Sequence, residues 1–209
     1  MALIEIRNVC KSFGDKDNKN TVLNNVSLSV RQGEFVSLMG TSGSGKSTLL
    51  YLLGGLDTAD SGEILIDGKN IASMSDKELS EKRRQDIGFV FQFFNLVQNL
   101  SVEDNILLPI VMDRKNPAMY KEKLDEILKI TNLSDKRKSF PPQLSGGQQQ
   151  RTAIARAVIT EPKIILADEP TGNLDSKTGK EIMELFSRIN KEKNITVIMI
   201  THSMECASF

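Results

Sequence analysis

Apolar and polar residues alternate over 3–10 (LIEIRNVC), 22–30 (VLNNVSLSV) and the short run 34–39 (EFVSLM), the period-two pattern of half-buried strands. The period changes to a helical one over 47–56 and returns to strand from Gly62 to Ile66, with Gly33, Gly62 and Gly68 at turns. Residues 76–84 (DKELSEKRR) predict a short charged helix, and 87–91 (IGFVF) an apolar strand. From about 95 to 160 no strand pattern occurs. Asn116-Pro117 there is a helix start, Asn as cap and Pro in the first position, and Tyr120, Leu124, Ile127 and Leu128 follow on one face. A short strand is predicted at 163–167. A helix follows at 176–193, with Ile182, Leu185, Phe186 and Ile189 as its apolar stripe. The unbroken apolar run 195–200 (ITVIMI) then fits a strand covered on both faces. The pattern predicts an α/β chain, strand-rich at its start, with a helical subdomain inserted and no internal repeat or linker.

Charge narrows the partners. Lys and Arg number 27 and Asp and Glu 27, so the net charge is zero and a whole-domain basic field for gripping nucleic acid is not supported. No apolar run reaches the roughly 18 residues of a membrane-spanning helix. The start, Met1 to Arg7, lacks the basic and apolar stretches of a signal peptide. Cys10 and Cys206 stand far apart without metal spacing, which argues for reduced thiols and against a disulfide scaffold or a Cys-based zinc site.

The chemistry begins at Gly40-Thr41-Ser42-Gly43-Ser44-Gly45-Lys46-Ser47-Thr48, a GxxxxGK[ST] match between a predicted strand and a predicted helix. Glycines let backbone N–H groups converge on phosphate oxygens, and the helix adds the positive end of its dipole. Lys46 brings a mobile charge for the β- and γ-phosphates and Ser47 a hydroxyl for Mg²⁺. The Lys-Ser pair is the wrong chemistry for a dinucleotide loop. After the apolar run 164–167 comes Asp168-Glu169-Pro170. A strand ending in a carboxylate delivers it to the sheet edge where the phosphate loop sits. Asp168 is therefore a candidate Mg²⁺ partner and Glu169 a candidate to polarise the attacking water. Taken alone, such an acidic pair is an ordinary solvated turn; the phosphate loop is what changes its meaning. Leu144-Ser145-Gly146-Gly147-Gln148 opens another helix, running to about Thr160, with Ser145 as N-cap. Without its company it is a flexible hinge; with it, it is a second anion site.

Together these residues resemble the nucleotide-binding subunit of an ABC (ATP-binding cassette) transporter. LSGGQ at 144–148 matches that family's signature, between a Walker A match at 40–48 and a Walker B match at 164–169. Gln92 matches the Q-loop, Gly172-Asn173-Leu174-Asp175 the D-loop, and Thr201-His202 the switch histidine. Phe13 sits where the family has an aromatic that stacks on adenine. Leu53 to Asp57, Phe91 to Leu96 and Leu144 to Arg151 look like the macrolide-export and lipoprotein-release branch, which includes antimicrobial-peptide exporters and a cell-division ATPase.

The resemblance implies a P-loop NTPase core with a mixed sheet and an N-terminal antiparallel β subdomain. It places the core at about 1–92 and 160–209 and the helical subdomain at about 93–159. It implies ATP and Mg²⁺ as cofactors and a head-to-tail homodimer with ATP between Lys46 of one copy and Ser145, Gly146, Gly147 and Gln148 of the other. Gln92 would contact Mg²⁺ or the water, His202 the γ-phosphate, and Asp175 would link the two sites. A separate transmembrane permease would be the partner, the chain lying peripherally on the inner, cytoplasmic face of the membrane, with export or extraction of a hydrophobic or peptide-like substrate as its work. Phe93 and Phe94 are either core or part of the groove receiving the permease.

The chain departs from the family in ending at Phe209, before the further strands and closing helix that members usually have, and in carrying Ser203 after His202 and Phe rather than Tyr at position 13. A DNA-acting relative would place a long coiled coil between Lys46 and Asp168, and a ribosomal one would carry two cassettes; neither occurs. The remaining alternative is an ATP-gated signalling module on a membrane partner, with little transport.

Overall fold

The computed structural model describes residues 2–15 and 18–208; Met1, Lys16, Asp17 and Phe209 lie outside it. The first strands, β1 (Ala2–Phe13) and β2 (Asn20–Arg31), pair antiparallel, with Ile4 opposite Val30 and Ile6 opposite Leu28. After β3 (Phe35–Leu38) and α1 (Lys46–Leu53) comes β4 (Ser61–Ile66), which pairs with the other edge of β1, Ile4 opposite Ile66 and Ile6 opposite Ile64. β5 (Lys69–Asn70) extends β4, completing an antiparallel sheet in the order β2-β1-β4-β5. The alternation read from the sequence puts Ile4, Ile6, Val30, Ile64 and Ile66 on one buried face.

α2 (Asp76–Gln85) is the charged helix and buries none of its residues. Its start is a capping box: Ser75 Oγ accepts from Glu78 N and Glu78 Oε2 accepts from Ser75 N. β6 (Ile87–Phe91) follows, then only helices and turns until β7 (Ile164–Asp168). These are α3 (Val102–Met112), α4 (Lys121–Ile130) and α5 (Gly146–Val158). α6 (Ser176–Lys193) leads to β8 (Thr196–Ile200), and the four-residue α7 (Met204–Ala207) is the last element of the described residues.

β3, β8, β7 and β6 lie side by side in that order, all parallel. Their residues divide cleanly. Ile164, Leu166, Ile198 and Ile200 join Leu49, Leu50, Leu52 and Leu53 of α1 and the antiparallel sheet in one core. Ile165, Ala167, Val197 and Met199 join α3 to α6 in a second core on the other face. This double burial is why 195–200 reads as an unbroken apolar run. Because the four strands are parallel, their carboxyl ends share one edge. That edge receives the loop after β3, Gln92 after β6, Asp168 at the end of β7 with Glu169 just after it, and His202 after β8.

Two helix boundaries differ from the sequence pattern. The helix expected over 47–56 stops at Leu53, because Gly54 caps it and the amide of Gly55 turns back to the Leu52 carbonyl. The start expected at Asn116-Pro117 opens a 3₁₀ turn, Pro117–Tyr120, capped by Asn116 Oδ1 on the Ala118 amide at 3.0 Å; the α-helix begins only at Lys121.

Gly88 sets the distance between β6 and α5. A Cβ there would lie 2.6 Å from the Ala157 carbonyl oxygen and 3.0 Å from the Ala157 Cβ, so backbone would have to yield. Gly88→Ala is expected to lose about 1–3 kcal/mol of stability by overpacking. Urea unfolding with a midpoint equal to wild type would show that α5 can retreat freely.

Candidate functional site

The loop after β3 wraps over the start of α1. Gly45 is that helix's N-cap at φ 86°, a left-handed conformation, and an added Cβ would sit 2.8 Å from the Val22 carbonyl oxygen; both facts favour glycine. α1 has no side-chain cap, so its first amides remain available to an anion. The Lys46 ammonium lies over the loop, donating to the carbonyls of Gly40 (3.0 Å) and Thr41 (2.7 Å) and to Ser44 Oγ (3.2 Å). The resulting cleft, of about 300 Å³, is lined by Val22, residues 42–48, Glu169 and His202.

The carboxylates sit against it. Asp168 ends β7, and its Oδ1 accepts from Ser47 Oγ at 3.1 Å. Its Oδ2 accepts from the Tyr51 hydroxyl, also at 3.1 Å. Burial first, then the charge of Asp168, holds the Tyr51 phenol above its usual pKa, so it stays protonated as a donor. Glu169 stands at φ 46°, left-handed for a residue with a side chain, which costs about 1 kcal/mol. Its amide donates to the Ile200 carbonyl and its own carbonyl accepts from Gly172, so β8 and the following turn hold it there. Its Oε1 meets His202 Nε2 at 2.9 Å.

Other predicted residues are placed elsewhere. Gln92 does not line the cleft: its Nε2 donates to Asn173 Oδ1 at 3.3 Å, and Asn173 Nδ2 donates back to the Gln92 carbonyl at 3.0 Å. Asp175 caps α6, accepting from the amide and hydroxyl of Thr178, and the Thr178 hydroxyl is the largest cause of its lowered pKa. Phe13 is 46% exposed at the end of β1, outside the cleft lining, with the Lys11 ammonium 5.1 Å from its ring centroid. Phe93 is 74% exposed, which removes the core reading for it, whereas Phe94 is half-buried.

Ser145 to Gln148 do not line the cleft either. Ser145 and Gln148 form a capping box at the start of α5, which satisfies the Gln148 amide and leaves the early amides of Gly146 and Gly147 to an outside acceptor. Gly147 has a packing duty too, since a Cβ there would come within 2.5 Å of the Thr178 methyl group. Farther along α5, Arg156 donates to the carbonyls of Asn95 (2.6 Å) and Phe94 (2.9 Å), and burial lowers its pKa.

Sequence reasoning passed over Tyr51 and Arg156. For Tyr51 a signal existed: it stands four residues after Ser47, one helical turn along the same face. Nothing in the sequence marks Arg156, whose partners are carbonyls of a loop far away in the chain.

The oxygen set fits a hard divalent cation on a phosphate. Ser47 and Asp168 supply two neighbouring oxygens, and among the described residues no group of three or more His, Cys, Asp or Glu side chains could cage a metal without help. A Mg²⁺ site of that kind completes its shell with phosphate and water.

The family model for ABC transporters matches residues 23–172. An uncharacterised ABC transporter ATP-binding protein of Methanocaldococcus jannaschii, MJ1508, is 45% identical over 99% of this chain and 92% of its own length. The methionine import ATP-binding protein MetN of Clostridium tetani is also 45% identical, over 97% of this chain, which spans 62% of that protein. Among solved structures, the dimeric post-hydrolysis state of the M. jannaschii cassette MJ0796 bound to ADP and Pi superposes with a TM-score of 0.88 at 43% identity, over 98% of this chain and 90% of that one. With its fold, its phosphate loop and these relatives in agreement, this chain belongs to the ABC transporter family, as an ATP-binding subunit.

Proposed function

We propose that this chain hydrolyses ATP as one of two copies stacked head to tail, and that the cycle drives a separate membrane permease. The observation that carries this is the separation of the two anion sites: the cleft at α1 and the glycine-rich start of α5 do not meet within one chain. One triphosphate touched by both needs a second copy. The dimeric cassette MJ0796 with ADP and Pi supports both the pairing and the hydrolysis.

Residues 40–45 would wrap the phosphates, with Lys46 on the β- and γ-groups and Thr48 at the start of α1 beside them. Ser47 and Asp168 would hold Mg²⁺, which neutralises phosphate charge as the bond to the γ-phosphoryl group loosens. Glu169 would take the proton of the attacking water, with His202 orienting water and γ-phosphate. Gln92 would leave Asn173 to reach the metal or the water. Ser145 to Gln148 of the second copy would close over the γ-phosphate, Asp175 would run between the two sites, and Phe13 would stack on adenine. No side chain attacks covalently; positioning and charge do the work. Loss of the γ-phosphate removes contacts that only the closed pair makes, so the copies part.

The permease would meet the apolar groove of about 410 Å³ beside the Gln92 loop, lined by Leu56, Phe89, Phe91, Leu108, Pro109 and Met112 among others. No helix of the described residues is long and apolar enough to cross a membrane, which fits a peripheral subunit on the inner face. Export or extraction follows from the resemblance of Leu53–Asp57 and Phe91–Leu96 to the lipoprotein-release branch. An import relative reaches the same 45% identity, so cargo transport must decide the direction.

Cross-linking tests the pairing. Ser42 and Ser145 are both exposed. With Cys10 and Cys206 replaced, Ser42→Cys and Ser145→Cys in one chain should give a covalent dimer with a short bis-maleimide when Mg·ATP is present and hydrolysis is blocked. Only intramolecular linkage would refute the head-to-tail arrangement.

A further inference from the structure

Two donors from one helix grip one carboxylate. Ser47 and Tyr51 stand a turn apart on α1, and the first donates to Oδ1 and the second to Oδ2 of Asp168, each at 3.1 Å. No motif of the phosphate loop asks for a hydroxyl at position 51. Asp168 needs one for a physical reason. The last torsion of an aspartate is broad, so a single hydrogen bond lets the carboxylate swing. Two donors on one rigid element fix its plane, and α1 is rigid: Leu49, Leu50, Leu52 and Leu53 are buried between the two sheets, and the Tyr51 carbonyl is tied to the Leu56 amide at 2.9 Å.

We propose that Tyr51 is a positioning residue for the metal: by holding Oδ2 of Asp168 it keeps Oδ1 beside the Ser47 hydroxyl, presetting the oxygen pair that receives the divalent cation of the nucleotide. This rests on the reading of Ser47 and Asp168 as the Mg²⁺ residues. Hydrogen-bond partners of ligating carboxylates typically govern metal affinity by about 10–100-fold. The contribution of Tyr51 is thus to metal affinity, with no contact to the nucleotide itself.

Tyr51→Phe removes one oxygen and keeps the ring. Mn²⁺ is the probe, titrated by electron paramagnetic resonance into the protein–ADP complex, with ADP affinity in EDTA measured alongside. The half-saturating Mn²⁺ concentration should rise about tenfold in Tyr51→Phe, while metal-free ADP binding stays within about twofold, since no donor to ADP is lost. Tyr51→Leu, which also loses the ring, should show a metal defect no smaller. In the Asp168→Asn background the Tyr51→Phe effect should vanish, because the two act as one unit. A Tyr51→Phe titration that overlays wild type, or an undiminished effect in Asp168→Asn, overturns the proposal. A wild-type protein that binds ADP with no enhancement by Mn²⁺ overturns the Mg²⁺ reading beneath it, a result separable because it needs no variant. If Phe proves poorly folded, Tyr51→Leu and the Asp168→Asn cycle decide by the same criteria.

Discussion

Glu169→Gln is expected to bind Mg·ATP, to hydrolyse it about 10²–10⁴-fold more slowly than wild type, and to accumulate as a closed dimer. The substitution isolates the chemistry. Gln has the same length, tolerates the φ of 46° no worse than Glu, and keeps an oxygen to meet His202 Nε2 where Glu169 Oε1 now stands at 2.9 Å. What it loses is the basicity that takes a proton from water and the negative charge beside the triphosphate. The first loss slows turnover. The second removes a repulsion within the closed pair, so the closed form gains population by the differential contact of its ligand. Single-turnover hydrolysis with sedimentation velocity at saturating Mg·ATP reads both. Unchanged turnover would remove Glu169 from its assigned role, and a slow variant that sediments only as single copies would break the link between the γ-phosphate and closure.

Lys46→Ala should weaken Mg·ATP binding by about 10–100-fold, the value of one or two charge-assisted hydrogen bonds. Lys46 has two duties. In the proposed reading it carries the mobile cation for the β- and γ-phosphates, and in the structure it ties the loop together through Gly40, Thr41 and Ser44. Alanine removes both. Its side chain is half exposed and outside either core, so far-UV circular dichroism should match wild type while calorimetric titration shows the loss. Wild-type affinity would mean that backbone amides alone hold the phosphates.

The parts of the fold readable beforehand are those whose burial leaves a periodic trace. The strands of the parallel sheet are apolar on both sides because helices cover one face and α1 the other, and 195–200 announces this in six letters. α6 shows its stripe because one long face meets the core. α3 did not stand out as a separate helix. Pro109 interrupts its pattern, and inside the first turn, behind the Ser101 cap, stands Asn105, fully buried, whose side chain bonds to the backbone of Val97, Leu100 and Ser101. A polar residue at the centre of a core reads as surface until its partners are known. β5, two residues long, carries no periodicity at all.

The site divides in the same way. Residues 40–48, Asp168 and Glu169 were legible because phosphate chemistry demands a fixed order of residue types along short segments. The pairing of Gln92 with Asn173 and the grip of Tyr51 on Asp168 were not, because each joins residues far apart in the chain and depends on side-chain direction. Phe13 has only the resemblance to mark it, and its ring is about half exposed, beside the Lys11 ammonium.

Arg156 has a mechanical consequence. It is anchored near the far end of α5, a rod about 20 Å long, and it holds two successive carbonyls, of Phe94 and Asn95, whose own residues stand at φ 61° and 49°. Under the proposed pairing, whatever presses on the glycine-rich end of α5 would be passed through Arg156 to the stretch just after Gln92. Contact with the second copy and posture at the proposed docking groove would then be a single coordinate, with one guanidinium as the pin between them.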